Sequence, residues 1–205
     1  MWEQLGELQF AQLCAAGLEP HHSLLDIGCG SLRGGIHFIR YLQPGNYTGI
    51  DRDRGLIKAG AEVELPAAGL DSSRCRLEVM DDFDFPSLGR KFDFALAQSV
   101  FTHLPLNSVL RCLINVRAVL EPSGALYATY LPNDRGVGYL GTIEHHPGGI
   151  STCMDSDPFH YPFDVLAWAA DRADLTATDL GDWSHPRAQR MARFGIAAPG
   201  ARPPG

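Results

Sequence analysis

The chain has 205 residues, 45% of them hydrophobic and 20% charged, and a formal net charge of −7 at pH 7. That length and composition predict one globular domain with a sizeable core, and they exclude a disordered chain, a fibre or a disulfide-rich miniprotein. The acidic balance lacks the basic surface that nucleic-acid binding requires, so we expect a small-molecule partner and no nucleic acid.

Several sequence features bear on location. No run of about 18 apolar residues occurs, which predicts that no segment spans a membrane. The five cysteines are widely spaced and form no CxxC pair, so neither a zinc site nor a redox couple is predicted. Because the acidic first residues lack the basic and apolar blocks of a signal peptide, we expect a cytoplasmic protein.

Hydrophobic periodicity predicts alternating strands and helices as far as residue 131. An N-terminal helix is predicted at 1–19, and Pro20 then leads into the first strand. Further on, strands are predicted at 23–28, 47–51, 76–80, 92–97 and 125–131, helices at 32–42, 54–65 and 105–120, and a turn at 121–124. This alternation predicts an α/β domain with a parallel sheet and right-handed crossovers.

The alternation breaks after residue 131. Residues 132–162 are rich in Gly, Pro, His and Asp and show no clear period, so we predict a long loop on the substrate side. A helix at 164–172 and strands at 175–180 and 189–194 follow. We expect residues 1–196 to form a single domain and residues 197–205 to be a disordered tail.

A glycine-rich turn follows the first predicted strand, within the run Leu-Leu-Asp-Ile-Gly-Cys-Gly-Ser-Leu at 24–32. Glycines let a ligand approach the backbone closely, and the helix that follows offers free N–H groups. Asp26 lies just before Gly28, and Asp51 ends the next strand, at the edge where open α/β sheets bind their ligands. A carboxylate at the end of that strand can accept hydrogen bonds from both hydroxyls of a ribose.

These residues resemble the motifs of the class I S-adenosylmethionine (SAM)-dependent methyltransferases. The resemblance extends over about residues 24–131, and its landmarks are the segments 26–30, 51, 80–83, 92–104 and 120–126. It implies a three-layer Rossmann-like α/β fold with a seven-stranded sheet that is mostly parallel and has an antiparallel last strand. It also implies SAM as the cofactor and S-adenosylhomocysteine as the product.

The resemblance implies a role for each matching position. The cofactor-binding residues are Asp26, Gly28, Cys29 and Gly30 for the methionine end, Asp51 for the ribose, Arg52, Asp81 or Asp82 and Phe83 for the adenine, and Gln98 and Ser99 for the path to the methyl group. The sequence departs from the family at Leu32, where many members have a third glycine. We therefore expect the turn to enter its helix already at that residue.

The histidines are the candidates for the base that would activate the methyl acceptor. A hydroxyl or acid acceptor benefits from a base with a pKa near neutral, which histidine supplies. His103 follows the fourth strand, and His145 and His146 lie in the long loop, so these three are the predicted catalytic residues. Predicted substrate contacts are Tyr130, His160 and Tyr161. No metal is predicted, because the histidines show neither H-x-H nor HExxH spacing.

Two other classes of protein share parts of this pattern. A nicotinamide-dependent oxidoreductase has the glycine turn and the acid after the second strand, but no lysine follows Lys91 to complete a Tyr-x-x-x-Lys motif. A nucleotide triphosphatase would need Gly-Lys-Ser/Thr after the loop, which is absent. A SAM-binding subunit without catalysis remains open.

Within the methyltransferases, the residues after the fourth strand narrow the acceptor. Gln-Ser-Val-Phe stands at 98–101, where enzymes that methylate the amino groups of bases or of glutamine carry a motif like Asn-Pro-Pro-Tyr. O-methylation of a hydroxyl or carboxyl on a small molecule is therefore the leading prediction, and small-molecule N-methylation is the second. A homodimer through the N-terminal helix or the last hairpin is left open.

Overall fold

The computed structural model describes residues 2–197, with side chains from residue 4 onward. Its strands are β1 (Leu24–Ile27), β2 (Tyr47–Asp51), β3 (Cys75–Val79), β4 (Phe92–Ala97), β5 (Leu120–Tyr130), β6 (Ile143–His145), β7 (Ile150–Thr152), β8 (Leu175–Asp182) and β9 (Arg190–Ile196). Its helices are α1 (Trp2–Ala15), α2 (Gly35–Tyr41), α3 (Arg54–Ala59), α4 (Leu65–Ala67), α5 (Leu106–Val119) and α6 (Phe163–Arg172).

Seven strands form one sheet in the order β3-β2-β1-β4-β5-β9-β8. Strands β1 to β5 pair in parallel, whereas β9 runs antiparallel to both β5 and β8. The predicted Rossmann-like α/β fold is therefore confirmed, including its antiparallel last strand. Because β1 lies between β2 and β4, the chain reverses its direction of travel across the sheet at β1, and open sheets bind ligands at such a point.

Alternate residues of β1 face opposite layers, as the two-residue period of a strand requires. Leu25 and Ile27 belong to an apolar cluster with residues of α5 and α6, whereas Leu24 packs in a second cluster with residues of α1 and α2. The sheet thus lies between two helical layers. Buried on both faces, β1 presents its ligand-binding end at the rim of the sheet.

Helix α2 begins at Gly35, three residues later than predicted. Leu32 has a φ of +71°, and this left-handed conformation costs an L-residue about 1–2 kcal/mol. Its side chain is fully buried and fills space beside two glycines, because a Cβ would lie 2.8 Å from Leu32 Cδ2 at Gly35 and 2.9 Å from Leu32 Cγ at Gly60. Tertiary packing therefore holds Leu32 in the turn and delays the helix.

Two other predicted helices differ from the observed ones. Helix α1 ends at Ala15 and not at residue 19, because Leu18 N–H donates to the carbonyl of Leu13 and closes the helix end. The helix predicted at 54–65 is interrupted, since a π-helical turn at Gly60–Glu64 separates α3 from α4.

The predicted turn at 121–124 lies inside β5. Phe92 pairs with Leu120 and Phe94 pairs with Ala125, so the register between β4 and β5 shifts across these residues. The strand continues through these residues because Leu120 before them and Ala125 after them both pair with β4.

The segment predicted as an aperiodic loop, 132–162, contains the hairpin formed by β6 and β7. Each of its strands has three residues, which is too short to produce a detectable period. Residues 198–205 of the predicted disordered tail lie outside the described residues. Within the described range, none of the helices has the length and apolar character that crossing a bilayer requires.

Candidate active site

Two adjoining cavities lie at the carboxyl ends of the central strands. The strand cavity, of about 450 Å³, lies above β1, β2 and β4, and the loop cavity, of about 230 Å³, lies beside the glycine turn. Both are lined by Gly28, Gln98 and Ser99, so together they form one continuous cleft across the switch point of the sheet.

The glycine turn shapes this cleft because its conformation and its lack of side chains are both required. Gly28 and Gly30 have φ values of +73° and +57°, a region that glycine adopts without strain. A Cβ at Gly28 would lie 2.6 Å from Val100 Cγ2, whereas a Cβ at Gly30 would meet nothing within 4 Å. The turn therefore packs tightly at Gly28 and leaves open space for a ligand at Gly30.

Asp51 ties the end of β2 to the glycine turn. Its Oδ2 accepts a hydrogen bond of 2.9 Å from Gly30 N–H, and its Oδ1 accepts one of 2.8 Å from Asp53 N–H. The carboxylate lines the strand cavity together with Arg52. Each oxygen keeps a lone pair after these bonds, so the carboxylate can also accept from a diol in the cavity.

Asp26 lies in the wall of the loop cavity, where only 4% of its surface is exposed. Burial raises the pKa of its carboxyl to about 6, although a 2.6 Å hydrogen bond from Tyr47 Oη acts in the opposite direction. Arg33 lines the same cavity, and burial and the nearby Arg187 lower the pKa of its guanidinium. A small cavity with one carboxyl group and one guanidinium in its wall suits a zwitterionic group.

We expect Asp26→Asn to stabilise the ligand-free protein at about pH 7.5 by an amount on the order of 3 kcal/mol, because the folded pKa is near 6 and the ordinary value is 3.8. Between these values the folded state holds more protons than the unfolded state, so wild-type stability falls as the pH rises through this range and stays lower above it. Asn keeps an acceptor for Tyr47 and removes the charge.

Urea unfolding from about pH 4.5 to about pH 8 measures this effect. The gain in Asp26→Asn is expected to shrink towards the acid end, and Asp164→Asn, at an exposed acid, is expected to change stability little throughout. A difference between Asp26→Asn and the wild type that does not vary with pH would contradict the raised pKa.

The exit of β4 carries a buried polar network. Gln189 Oε1 accepts hydrogen bonds from Thr129 Oγ1 at 2.7 Å, from Ser99 Oγ at 3.0 Å and from Gln98 Nε2 at 3.2 Å. The backbone N–H of Ser99 donates to Thr129 Oγ1 at 2.7 Å, which holds Ser99 at a φ of +55°. Such strain at a cavity wall is typical of functional sites.

His185 joins this network from the loop between β8 and β9. Its Nε2 lies 3.2 Å from Gln98 Nε2. Burial, followed by the charges of Arg187 and Arg33, lowers the pKa of its ring to about 4, so the ring is neutral at pH 7. Neither His185 nor Gln189 was predicted as a site residue, since both depend on a contact between β4 and the far end of the sheet.

The two acids after β3 occupy different environments. Asp81 and Phe83 line the strand cavity, whereas Asp82 does not. Asp82 Oδ1 accepts a 3.0 Å hydrogen bond from Asp84 N–H, so Asp82 closes a turn instead. Of the two acids predicted beside the adenine, the structure places only Asp81 in the cavity.

The predicted histidines lie in three separate places. His103 lines the strand cavity, and its Nδ1 lies 2.6 Å from Asp157 Oδ1 in the loop before α6. His145 and His146 line a polar cavity of about 580 Å³ between the β6–β7 hairpin and the β8–β9 loop. His160 lines a third, apolar cavity described below.

The two predicted tyrosines also differ in their surroundings. Tyr161 lines the apolar cavity and donates a hydrogen bond to the carbonyl of Leu104. Tyr130 is buried in the core beside Phe163 and lines none of the four cavities described. The structure therefore does not place Tyr130 where a substrate can contact it.

Gln9 is a further residue that sequence reasoning missed. It is buried, lines the loop cavity from α1, and contacts the glycine turn so closely that a Cβ at Gly34 would lie 2.1 Å from its Oε1. The sequence does carry a feature that could have revealed it. Gln9 is a polar residue four positions from both Leu5 and Leu13, which places it on the apolar face of the helix.

The described part of the chain contains no cluster of side chains that would support metal binding. No group of three or more His, Cys, Asp or Glu side chains there is arranged to hold a metal ion. Several of the described histidines instead contact a carboxylate, a threonine or another histidine ring.

Comparison with known proteins identifies the family. A family model described as a methyltransferase domain matches residues 25–126, about half of the chain. The fold is similar to that of a SAM-dependent methyltransferase from Clostridium acetobutylicum, with a TM-score of 0.71 and 10% identity over 97% of this chain and 93% of that chain. The CcbJ methyltransferase from Streptomyces caelestis gives a TM-score of 0.71 and 14% identity over 94% of this chain and 90% of that chain.

A third similar structure contains the cofactor. Magnesium protoporphyrin IX methyltransferase from Synechocystis, solved with bound SAM, gives a TM-score of 0.68 and 12% identity over 95% of this chain and 79% of that chain. At these identities the likeness to solved structures shows a shared fold.

The cleft of this chain fits SAM on its own geometry. The loop cavity has an acidic and a cationic side chain where a zwitterionic methionine end could bind, Asp51 has free lone pairs for a ribose diol, and Gly30 leaves open space beside the turn. The family model and the bound SAM of a structural neighbour agree with that fit. The chain therefore belongs to the class I S-adenosylmethionine-dependent methyltransferase family and uses SAM as its cofactor.

Proposed function

We propose that the protein methylates a hydroxyl or carboxyl oxygen of a small molecule. The observation that carries this proposal is the polar cavity, whose volume of about 580 Å³ is within the range of small-molecule sites. It adjoins the cofactor cleft through His185, which contacts Gln98. An acceptor in this cavity can therefore reach the exit of β4.

The cofactor end of the proposal assigns roles to residues of the cleft. Asp26 and Arg33 would hold the ammonium and carboxylate of the methionine end, and Asp51 would hold the ribose. Asp81 and Phe83 would contact the adenine. When bound, SAM supplies a methyl group that is already activated on a sulfonium, so the protein contributes mainly orientation, which is worth about 7–11 kcal/mol of barrier.

The polar cavity contains groups that could orient an oxygen acceptor, namely two arginines among the three acids Asp134, Glu144 and Asp182. Arg190 donates two hydrogen bonds, of 2.8 Å and 2.7 Å, to the carboxylate of Asp134, and the Arg135 guanidinium stacks 4.6 Å from the Tyr139 ring. Cations held in this way can orient a carboxylate or hydroxyl. The same cavity is lined by His145, His146 and His185, which would bind the acceptor.

His103 is the base that we propose for the reaction. It lines the strand cavity that Gln98 and Ser99 also line. Asp157 lies against its Nδ1, which leaves Nε2 to take a proton from an acceptor oxygen. His145 and His185, whose pKa values are lowered by burial, line the polar cavity itself, and they are the alternative bases if the acceptor oxygen stays within that cavity.

The cell compartment and chain organisation remain proposals of the same kind. All five cysteines are free thiols, which supports a reducing cytoplasmic environment. We also propose that residues 1–196 act as one methyltransferase domain.

Methyl transfer from radiolabelled SAM to panels of hydroxy compounds, carboxylic acids and amines tests the proposal. We expect label in the oxygen panels, with methyl esters distinguished from ethers by release of volatile label in alkali. Label confined to the amine panel would overturn O-methylation in favour of N-methylation.

A matched pair of variants tests the place of the acceptor. Glu144→Trp puts a large ring into the polar cavity at a side chain that is 62% exposed, and Glu62→Trp makes the same change at one that is 64% exposed on a distant helix. We expect Glu144→Trp to raise KM for the acceptor at least 10-fold, by steric exclusion, without changing Kd for SAM. Equal KM values in the two variants would remove the acceptor from this cavity.

A further inference from the structure

A further cavity adjoins the cofactor cleft at Pro105 and shares no lining residue with the polar cavity. It lies between the start of α5, the start of α6 and the loop before α6. It has a volume of about 480 Å³, within the range of small-molecule sites. We call it the apolar cavity; its apolar wall includes Leu106, Val137, Met154, Phe159, Val165 and Trp168.

Exposed apolar side chains converge on this cavity. Among the described residues, nine large apolar side chains are exposed, and three of them line it: Val137, Met154 and Trp168. Single exposed apolar residues need no explanation, but a group around one concave site marks a binding surface.

The apolar cavity also contains a buried polar atom without a partner. His160 is 2% exposed, and its Nε2 has no hydrogen bond among the described residues. Because His160 lines the cavity, a ligand there could contact this nitrogen once the atoms that now cover it shift aside. An unpaired buried nitrogen costs free energy that a ligand hydrogen bond would recover.

The tautomer of His160 follows from its neighbours. Thr152 Oγ1 lies 3.3 Å from the carbonyl oxygen of Ile143, 2.8 Å from His145 Nε2 and 2.8 Å from His160 Nδ1. A hydroxyl has one proton and two lone pairs, and the carbonyl can only accept. All three bonds form when Thr152 donates to Ile143 and both histidines donate to Thr152, which leaves a lone pair on His160 Nε2.

The charged residues of the lining determine which ligands fit. Asp155 and Asp164 line the cavity, and the lining in the described range includes no lysine or arginine. The two acids would therefore repel an anionic ligand, with no cation in the lining to compensate. They would not repel a neutral ligand, and they would attract a cationic one.

We propose that the apolar cavity binds a neutral or cationic ring compound that donates one hydrogen bond to Nε2 of His160. The site is distinct from the polar cavity proposed for the methyl acceptor, because the two cavities share no lining residue, and Thr152 links their histidines, His160 and His145.

Isothermal titration calorimetry with three probes tests this site: 2-naphthol, 2-methoxynaphthalene and 2-naphthoate. Saturating S-adenosylhomocysteine keeps the probes out of the cofactor cleft. We expect 2-naphthol to bind about 10-fold more tightly than its methyl ether, which has no donor, and 2-naphthoate to bind most weakly. Equal affinity of 2-naphthol and the ether, tightest binding of the anion, or no binding of 2-naphthol at millimolar concentration would each overturn the proposal.

Matched variants locate the bound probe. Val137→Arg and Val63→Arg make the same change at side chains that are 59% and 58% exposed, and only Val137 lines the cavity. We expect Val137→Arg to weaken 2-naphthol binding at least 10-fold and Val63→Arg to leave it unchanged; equal affinities would overturn the assignment.

Two more variants separate this site from its neighbours. His160→Phe is expected to abolish the preference for 2-naphthol over the ether, and a retained preference would remove His160 as the acceptor. If His160→Phe does not fold, the wild-type comparison of the three probes and the Val137 pair still decide. Glu144→Trp, which blocks the polar cavity, is expected to leave 2-naphthol binding unchanged, and a loss there would place the probe in the polar cavity instead.

Discussion

Asp51→Ala is expected to bind SAM about 10- to 100-fold more weakly than the wild type, because hydrogen bonds to a charged acceptor are worth about 1.5–3 kcal/mol. The carboxylate has two roles in the structure. It would accept from the ribose diol, and it already holds the glycine turn through Gly30 N–H and orders the next residues through Asp53 N–H. Alanine removes both roles at once.

Titration calorimetry of SAM and S-adenosylhomocysteine measures this loss. Asp53→Ala is the control, since Asp53 caps α3 by accepting from Gly55 N–H and Leu56 N–H. That variant is expected to lose about 1 kcal/mol of stability and to keep its affinity for SAM. An Asp51→Ala variant with wild-type affinity would show that the ribose does not bind at the end of β2.

His103→Ala is expected to lower kcat about 100-fold or more, as the loss of a general base does, and to change Kd for SAM much less. The two effects separate because the imidazole would act on the acceptor proton rather than on the cofactor. Asp157→Asn should lower kcat by a smaller factor, since the neutral amide still contacts Nδ1 but no longer stabilises a positive ring.

Steady-state kinetics with an acceptor from the panel assay, together with SAM titrations, test this prediction. His21→Ala provides the control, because His21 forms a comparable exposed pair with Glu19 at 3.4 Å. This pair precedes β1, so it lies at the end of the strand opposite to the cleft. We expect it to retain wild-type kcat. If His103→Ala also turns over at the wild-type rate, the base must be sought among the histidines of the polar cavity.

The contrast between these two variants follows from their surroundings. Asp51 is bonded to the backbone of the cofactor turn, so its loss acts on binding. His103 is bonded to a side chain of the substrate-side loop, so its loss acts on turnover. A variant that changed both quantities equally would indicate a general disturbance of the cleft.

The sequence by itself determined the fold class and the position of the cofactor turn. The spacing of apolar residues in each strand and helix indicates which of its faces is buried. The turn at Gly28 and Gly30 depends on only a few neighbouring residues, so it could be predicted as well. The position of Asp26 and Asp51 at the cleft could be predicted for a similar reason, because a residue at the end of a parallel strand reaches the same edge of the sheet wherever that strand is placed.

Only the tertiary structure decided how distant segments meet. Leu32 remains in a left-handed conformation because it packs against Gly60, and Gln189 reaches the exit of β4 from the loop between β8 and β9 to bond with Gln98 and Ser99. The predicted histidines separated into three cavities because the segment 132–162, which carries three of the four, forms the β6–β7 hairpin before it leads into α6. Such contacts depend on packing between residues far apart in the chain, for which a single sequence carries no periodic signal.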